Sequence, residues 1–255
     1  MFRRMIVFVY GVVCYVAALT SFAYLAAFLE NFAVPRGIDS APQSPLWAAF
    51  MIDLGLLTLF GVQHSVMAGP GFKAMWTKIV PQAAERSTFV LFSSIAMFVM
   101  FWQWRPLGGV IWNIGDEHGR IALHVLYALG WVMVLTTTFL INHFDLFGLR
   151  QVVLQLMGRP YTALRFRTPG PYRIVRHPLY VGWVTVFWST PNMTAAHLLF
   201  AAGLTIYILI AIRYEERDLV QMHSEYAEYR RRVPMIVPIG AQSQSADKPV
   251  LKDIA

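Results

Sequence analysis

The sequence predicts an all-α protein, a polytopic integral membrane helical bundle with five or six spans and a C-terminal helical hairpin. Three observations predict it. The chain of 255 residues is 57% hydrophobic and only 14% charged, against about 25% charged in an ordinary soluble domain. Apolar blocks of the length that crosses a bilayer occupy 5–29, 46–68, 88–104 and 121–141. A fifth block, 178–212, is broken in the middle by Ser189-Thr190-Pro191-Asn192, which makes it a hairpin of two unequal arms.

The first block follows Arg3 and Arg4, as in a signal peptide. It is longer than a signal's apolar core and no small-residue cleavage site follows, so it reads as a retained helix. The single Cys14 lies inside it, where packing is its expected role. Loop charges then orient the bundle. The loop 142–177 carries six arginines (150, 159, 165, 167, 173 and 176) against Asp145. The loop 69–87 is also basic, whereas 30–45 has one arginine against two acids and 105–120 is balanced. The positive-inside rule therefore puts both termini and the hairpin base in the cytoplasm. The same asymmetry accounts for the net charge of +7 through contact with anionic lipid. Nucleic acid is excluded as a partner, because the basic residues border membrane spans rather than a soluble domain. No Cys-x-x-Cys or His-Glu-x-x-His pattern suggests a metal. The polar tail 239–255 is expected to be mobile.

The hairpin has polar residues at its base only. Pro178 suits the first turn of a helix, where no backbone donor is lost. That puts His177 at the entrance and Tyr180 and Gly182 on the first turn. A helix that rises, turns at Pro191-Asn192 and descends returns Glu215-Glu216 to the level of His177. The base then collects two acids, arginines, a histidine and tyrosines.

Ionisable groups within spans are costly and count first as functional candidates. Asp53 and His64 lie eleven residues apart in the second block, on nearly one face and about 16 Å apart along the axis. Asn142-His143 ends the fourth block. His64 and Asn142-His143 are expected at similar depth near the hairpin base, as acceptor-side residues. Asp53 and His124 are expected to be structural.

The run Arg176-His177-Pro178-Leu179-Tyr180-Val181-Gly182, the pair Glu215-Glu216, the spacing Tyr226-Ala227-Glu228-Tyr229 and Val233-Pro234 together resemble the membrane methyltransferases typified by isoprenylcysteine carboxyl methyltransferase and bacterial phospholipid methyltransferases. One position departs from the pattern: His223 stands where these proteins usually have glycine. The resemblance implies S-adenosylmethionine as methyl donor. It implies Tyr172, Arg173, Arg176, His177, Pro178, Tyr180, Gly182, Glu215, Glu216 and Tyr226 as the residues that bind it. The residue types suit that ligand: arginine forks onto a carboxylate, glutamate takes an ammonium or a diol, and tyrosine offers a ring face to adenine or to a cation.

The front half adds Gly61-Val62-Gln63-His64-Ser65-Val66-Met67-Ala68, Glu85-Arg86-Ser87 and Asn142-His143-Phe144-Asp145-Leu146-Phe147-Gly148-Leu149-Arg150. These stretches are similar to the bacterial methanethiol S-methyltransferases and their NnrU-type relatives. The implied reaction is methylation of a small thiol, methanethiol, to dimethyl sulfide, in the bacterial plasma membrane. His64, Asn142, His143 and Arg213 are the expected catalytic residues, since the thiolate is the reactive form and needs a base or a positive field. The chain then divides into front spans (1–170) bearing the acceptor site, a cofactor-binding hairpin and tail motif (171–238), and the tail. Two other readings stay open: a prenylcysteine carboxylate or phospholipid amine as acceptor, and a non-catalytic membrane protein that retains the fold. The sequence fixes no oligomeric state.

Overall fold

Each apolar block is helical in the computed structural model, which describes residues 1–238; the tail 239–255 lies outside the described residues. In chain order the elements are α1 (Phe2–Leu29), α2 (Leu46–Ala68), α3 (Pro70–Trp76), α4 (Glu85–Gln103), β1 (Val110–Asn113), α5 (Glu117–Ile141), α6 (His143–Leu146), α7 (Leu149–Leu156), α8 (Pro178–Trp188), β2 (Asn192–Thr194), α9 (Ala195–Met222) and α10 (Tyr226–Arg232). α1, α2, α4, α5 and α9 are long and apolar enough to cross a membrane. α8, with 11 residues, rises only about 16 Å. The hairpin therefore contributes one full span and one short arm. Residues 189–194 join the two arms, and β2 pairs antiparallel with β1.

The surface is apolar where a soluble protein's would be polar. Val9, Val13 and Val16 on α1 and Ile121, Val125, Leu129 and Val132 on α5 are exposed, at the three- and four-residue spacing of a lipid-facing stripe. The opposite face of α1 buries Val7, Gly11, Cys14, Ala18, Ser21, Leu25 and Phe28. The main core gathers Phe28, Met100, Phe101, Trp104, Phe187, Phe200, Leu204 and Ile208 from four helices. Backbone donors freed at helix starts find local acceptors: the Asp116 carboxylate accepts from Gly119 N at 2.7 Å, and Thr194 Oγ1 from His197 N at 3.2 Å.

The two ends differ. At one, the start of α1 packs on α7 and on the turn before α4 through Val7, Val152 and Ala84, beside the basic loops and the hairpin base. At the other, His124 meets Glu30 at 3.0 Å, and Asp53 Oδ1 accepts from Arg105 N at 2.8 Å. Asp53 and His124 thus tie helices to loops at the end away from the hairpin base.

α5 and α8 cross at close range because both are glycine at the contact. A Cβ on Gly182 would lie 3.0 Å from the Val134 backbone nitrogen and 3.1 Å from the Gly130 carbonyl oxygen. Backbone cannot yield as a flexible side chain can, so Gly182→Ala should cost about 1–3 kcal/mol, read as a lower apparent Tm in detergent. An unchanged Tm would mean that the two helices separate freely.

α9 runs 28 residues, well past the end of the apolar block at 212. The continuation Arg213-Tyr214-Glu215-Glu216-Arg217-Asp218-Leu219 is rich in good helix formers, so helix outlasts hydropathy. Glu215 and Glu216 consequently stand on a rigid helix rather than on a loop.

Candidate active site

The hairpin returns Glu216 to the helix entrance, with His177 Nε2 3.0 Å from Glu216 Oε1. Arg176 Nε donates to the same oxygen at 2.7 Å, and only 11% of the Arg176 side chain and 10% of Glu216 is exposed. Arg176 Nη1 continues to the carbonyls of Arg230 (2.8 Å) and Val233 (2.5 Å). The backbone N–H groups of Arg176 and His177 donate to Pro234 O (2.9 Å) and Met235 O (3.1 Å). Two consecutive residues thus bind both α9 and the Val-Pro tail. Arg176 is largely occupied by these contacts and holds the site together.

Glu215, adjacent in the helix, points elsewhere. Its Oε2 accepts from Tyr180 OH at 2.8 Å and lies 4.0 Å from His177 Nδ1. Tyr229 OH donates to Tyr172 O at 2.5 Å. Tyr226 is 2% exposed, packs edge-on against Phe166 and Tyr229, and its hydroxyl has no partner among the described residues. Burial pushes the phenols of Tyr172 and Tyr226 up, and that of Tyr229 to about 12. All three are protonated donors at neutral pH. Beside Glu216 an open cleft of about 360 Å³ is lined by Arg213, Glu216, Arg217, Val220, Gln221 and Arg230.

Of the expected cofactor residues, Arg176 and His177 bond to Glu216, Tyr180 bonds to the adjacent Glu215, and the two sets approach at His177, with Tyr172 and Tyr226 beside them. Pro178 is the buried first residue of α8. Arg173 is exposed. Gly182 faces α5 and serves helix packing. His223, the departure from the pattern, has an extended backbone at φ −131° and packs at a tilt against Phe166, so the position does not require glycine.

The second group lies on α2, α4 and the α5–α6 corner. His64 is half-buried between the rings of Phe60, Phe89 and Tyr207, with centroids 5.4, 4.8 and 6.3 Å away. Its Nδ1 is 3.1 Å from Ser93 Oγ. Among the described residues its Nε2 makes no hydrogen bond. His143 is held quite differently. Its Nε2 is 2.8 Å from Tyr15 OH and its Nδ1 2.9 Å from Thr138 Oγ1. Thr138 spends its own proton on Leu135 O at 2.7 Å, so it accepts from His143 Nδ1–H, and Nε2 accepts from Tyr15. The ring also stacks on Phe139 at 4.2 Å. Burial pushes its pKa down, consistent with a neutral ring whose nitrogens are both satisfied.

Asn142 has φ +153° and ψ +89°, an arrangement that costs a non-glycine residue energy. Its Oδ1 accepts from Asp145 N at 3.1 Å, which starts α6 and turns His143 inward. His64 and His143 pack on Phe89 and Phe147 of one buried cluster but do not touch. Arg213, expected with them, is exposed on α9 and lines the cleft beside Glu216. The expected acceptor group is therefore divided: His64 has a ring nitrogen without a partner among the described residues, His143 and Asn142 build the corner, and Arg213 sits beside Glu216.

Sequence reasoning missed Tyr207, Ser93 and Arg230. Tyr207 of α9 reaches His64 because a Cβ on Gly61 would stand only 3.1 Å from its ring, and its hydroxyl accepts from Ser65 Oγ at 3.3 Å. Glu215 follows eight residues later, about 12 Å along the same helix. One side of α9 thus serves α2 and the next two turns serve α8. An aromatic residue in an apolar helix ordinarily faces lipid; only the glycine opposite marks this one.

A family model described as phospholipid methyltransferase matches residues 120–226. Methanethiol S-methyltransferase of Crocosphaera subtropica is 55% identical over 242 residues, covering 94% of this chain and 95% of that protein. The protein of the same name from Mycobacterium tuberculosis is 49% identical over 237 residues, covering 92% and 97%. Methanethiol S-methyltransferase 1 of Bradyrhizobium diazoefficiens is 46% identical over 236 residues, covering 92% and 83%. No solved structure matches the chain significantly. Five membrane-length helices, a His-Glu-Arg cluster at a hairpin base and near-complete coverage of these relatives agree: the chain belongs to the methanethiol S-methyltransferase family and is an integral membrane methyltransferase.

Proposed function

We propose that the protein transfers the methyl group of S-adenosylmethionine to methanethiol, giving dimethyl sulfide and S-adenosylhomocysteine. The site faces the cytoplasm of the bacterial plasma membrane. The observation that carries this reading is the pairing of two unlike groups along α9, a polar cluster at Glu215-Glu216 and the aromatic surround of His64 formed by Phe60, Phe89 and Tyr207. A charged cofactor suits the first and a small apolar thiol the second. The names of the relatives point to the same acceptor. The basic loops gather at the hairpin-base end, which the positive-inside rule assigns to the cytoplasm.

The hairpin base fits the cofactor. Arg213, Arg217 and Arg230 in the cleft complement its carboxylate, and Glu215 and Glu216 its ammonium or ribose diol. The buried Tyr226 hydroxyl, without a partner among the described residues, is a donor that a ligand oxygen or nitrogen would satisfy. When bound, S-adenosylmethionine supplies an electrophilic methyl group on a sulfonium sulfur. The chain's own residues do the rest. His64 Nε2 takes the thiol proton, leaving the thiolate that forms the new S–CH₃ bond. The guanidinium of Arg86, 4.9 Å over the Phe89 ring and felt electrostatically by His64, favours that anion. Phe60, Phe89 and Tyr207 keep water out and hold the small acceptor in line.

An acceptor panel tests the reading. Purified protein with S-adenosylmethionine should release dimethyl sulfide into the headspace when given methanethiol. It should methylate neither a prenylcysteine analogue nor phosphatidylethanolamine. Methylation of either of those, without dimethyl sulfide, would move the site to a larger lipid acceptor.

A further inference from the structure

His64 can act as a base only through a nitrogen that carries a lone pair, and the structure indicates which one does. Ser93, on α4 one turn beyond Phe89, donates its single hydroxyl proton to Phe89 O at 3.0 Å. Toward His64 Nδ1, at 3.1 Å, the same oxygen has only lone pairs to offer. Gln63 Nε2 also points a donor at it, at 3.5 Å, and so competes for none of its protons. The proton of this contact therefore sits on His64 Nδ1, and the lone pair is on Nε2. The aromatic walls of Phe60 and Phe89 fix the ring plane, so the tautomer and the direction of the lone pair are set together.

We propose that Ser93 is a positioning residue that holds His64 as the Nδ1–H tautomer, so that Nε2 is the atom that receives the proton of the acceptor thiol. This rests on the reading of the pocket given above. Balance is simple: the S–H bond breaks, the proton goes to Nε2, and its electron pair stays on sulfur for the bond to carbon. The imidazolium so formed keeps Nδ1–H on Ser93. The charged or titratable groups facing His64 are Arg86 from α4 and Tyr207 from α9; neither accepts the Nδ1 proton. Free neutral histidine favours the Nε2–H form, so without Ser93 the lone pair turns toward α4 and away from the pocket.

The test joins a spectrum to kinetics. Nitrogen-15 histidine spectra of the detergent-solubilised protein, with the His64 signal assigned by its loss in His64→Gln, should show Nδ1–H in wild type and in Ser93→Thr. Ser93→Ala should show a mixture or Nε2–H. With methanethiol, Ser93→Ala should lose about 10- to 100-fold in kcat, the range for partners that orient a functional histidine. S-adenosylhomocysteine affinity should be retained, the pH–rate profile should change shape, and Ser93→Thr should restore most of the rate. Three results overturn the proposal: an Nε2–H signal in wild type, an unchanged tautomer and pH profile in Ser93→Ala, or a loss of cofactor affinity that threonine does not repair. The tautomer arm needs no acceptor, so it stands or falls apart from the thiol assignment.

Discussion

Glu216→Gln lowers affinity for S-adenosylhomocysteine by roughly 10- to 150-fold, the equivalent of about 1.5–3 kcal/mol for a lost charge-assisted contact. The reason is geometric. Glu216 Oε1 takes both Arg176 Nε and His177 Nε2, so this one carboxylate joins the two arms of the hairpin. Arg176 in turn carries the tail through the carbonyls of Arg230 and Val233. Gln keeps the shape and one acceptor oxygen but gives up the charge, leaving Arg176 nearly buried beside a neutral amide. Glu216→Ala goes further and leaves that cation unpaired, a loss of about 3–5 kcal/mol of folding stability. Calorimetry on the Gln variant and a detergent melt on the Ala variant separate the two effects. Wild-type affinity in the Gln variant would remove Glu216 from the cofactor site.

His64→Ala has the largest expected effect on rate, about 10²- to 10⁴-fold, as for loss of a general base, with S-adenosylhomocysteine affinity nearly intact. Among the described residues nothing links His64 directly to the Arg176–Glu216 cluster, so the loss is expected in the transition state rather than in cofactor binding. The pH dependence has a definite sign. The deficit shrinks as pH rises toward the thiol pKa, because solution then supplies the thiolate directly. His143→Ala behaves differently. It breaks the bonds to Tyr15 and Thr138 at the α5–α6 corner, so it destabilises the protein and lowers the rate without a pH-dependent deficit. A pH-independent loss in His64→Ala would make His64 a wall of the pocket rather than its base.

Much of this was legible in the sequence. Blocks of apolar residues limited the spans to five or six, and Pro178 with the break at 189–192 predicted the hairpin. Those signals are local, one residue type at one spacing, and they predicted that His177 and Glu216 meet. The unequal arms were legible too, though α9 proved longer because Arg213 to Met222 is helical by propensity after its hydropathy ends. What the sequence could not show was which side each polar residue faces inside a helix that is apolar all round. His64 and His143 look alike as letters. They differ because a hydroxyl from α4 touches one nitrogen of the first, while α1 and α5 satisfy both nitrogens of the second. Gly182 belongs to the signature yet packs against Gly130, a partner 52 positions away that no local pattern points to. Tyr226 is the converse case. The resemblance implied a cofactor contact for it, and the structure adds that its buried hydroxyl has no partner among the described residues.

The measurement closest to the central claim follows the methyl group itself. Purified protein is given S-adenosylmethionine labelled with carbon-13 in the methyl group, together with unlabelled methanethiol, and the headspace is read by mass spectrometry. The expected product is dimethyl sulfide with one labelled methyl per molecule, formed in step with S-adenosylhomocysteine, abolished in Glu216→Ala and restored in part by high pH in His64→Ala. Protein that binds S-adenosylhomocysteine tightly yet releases no labelled dimethyl sulfide would contradict the central claim.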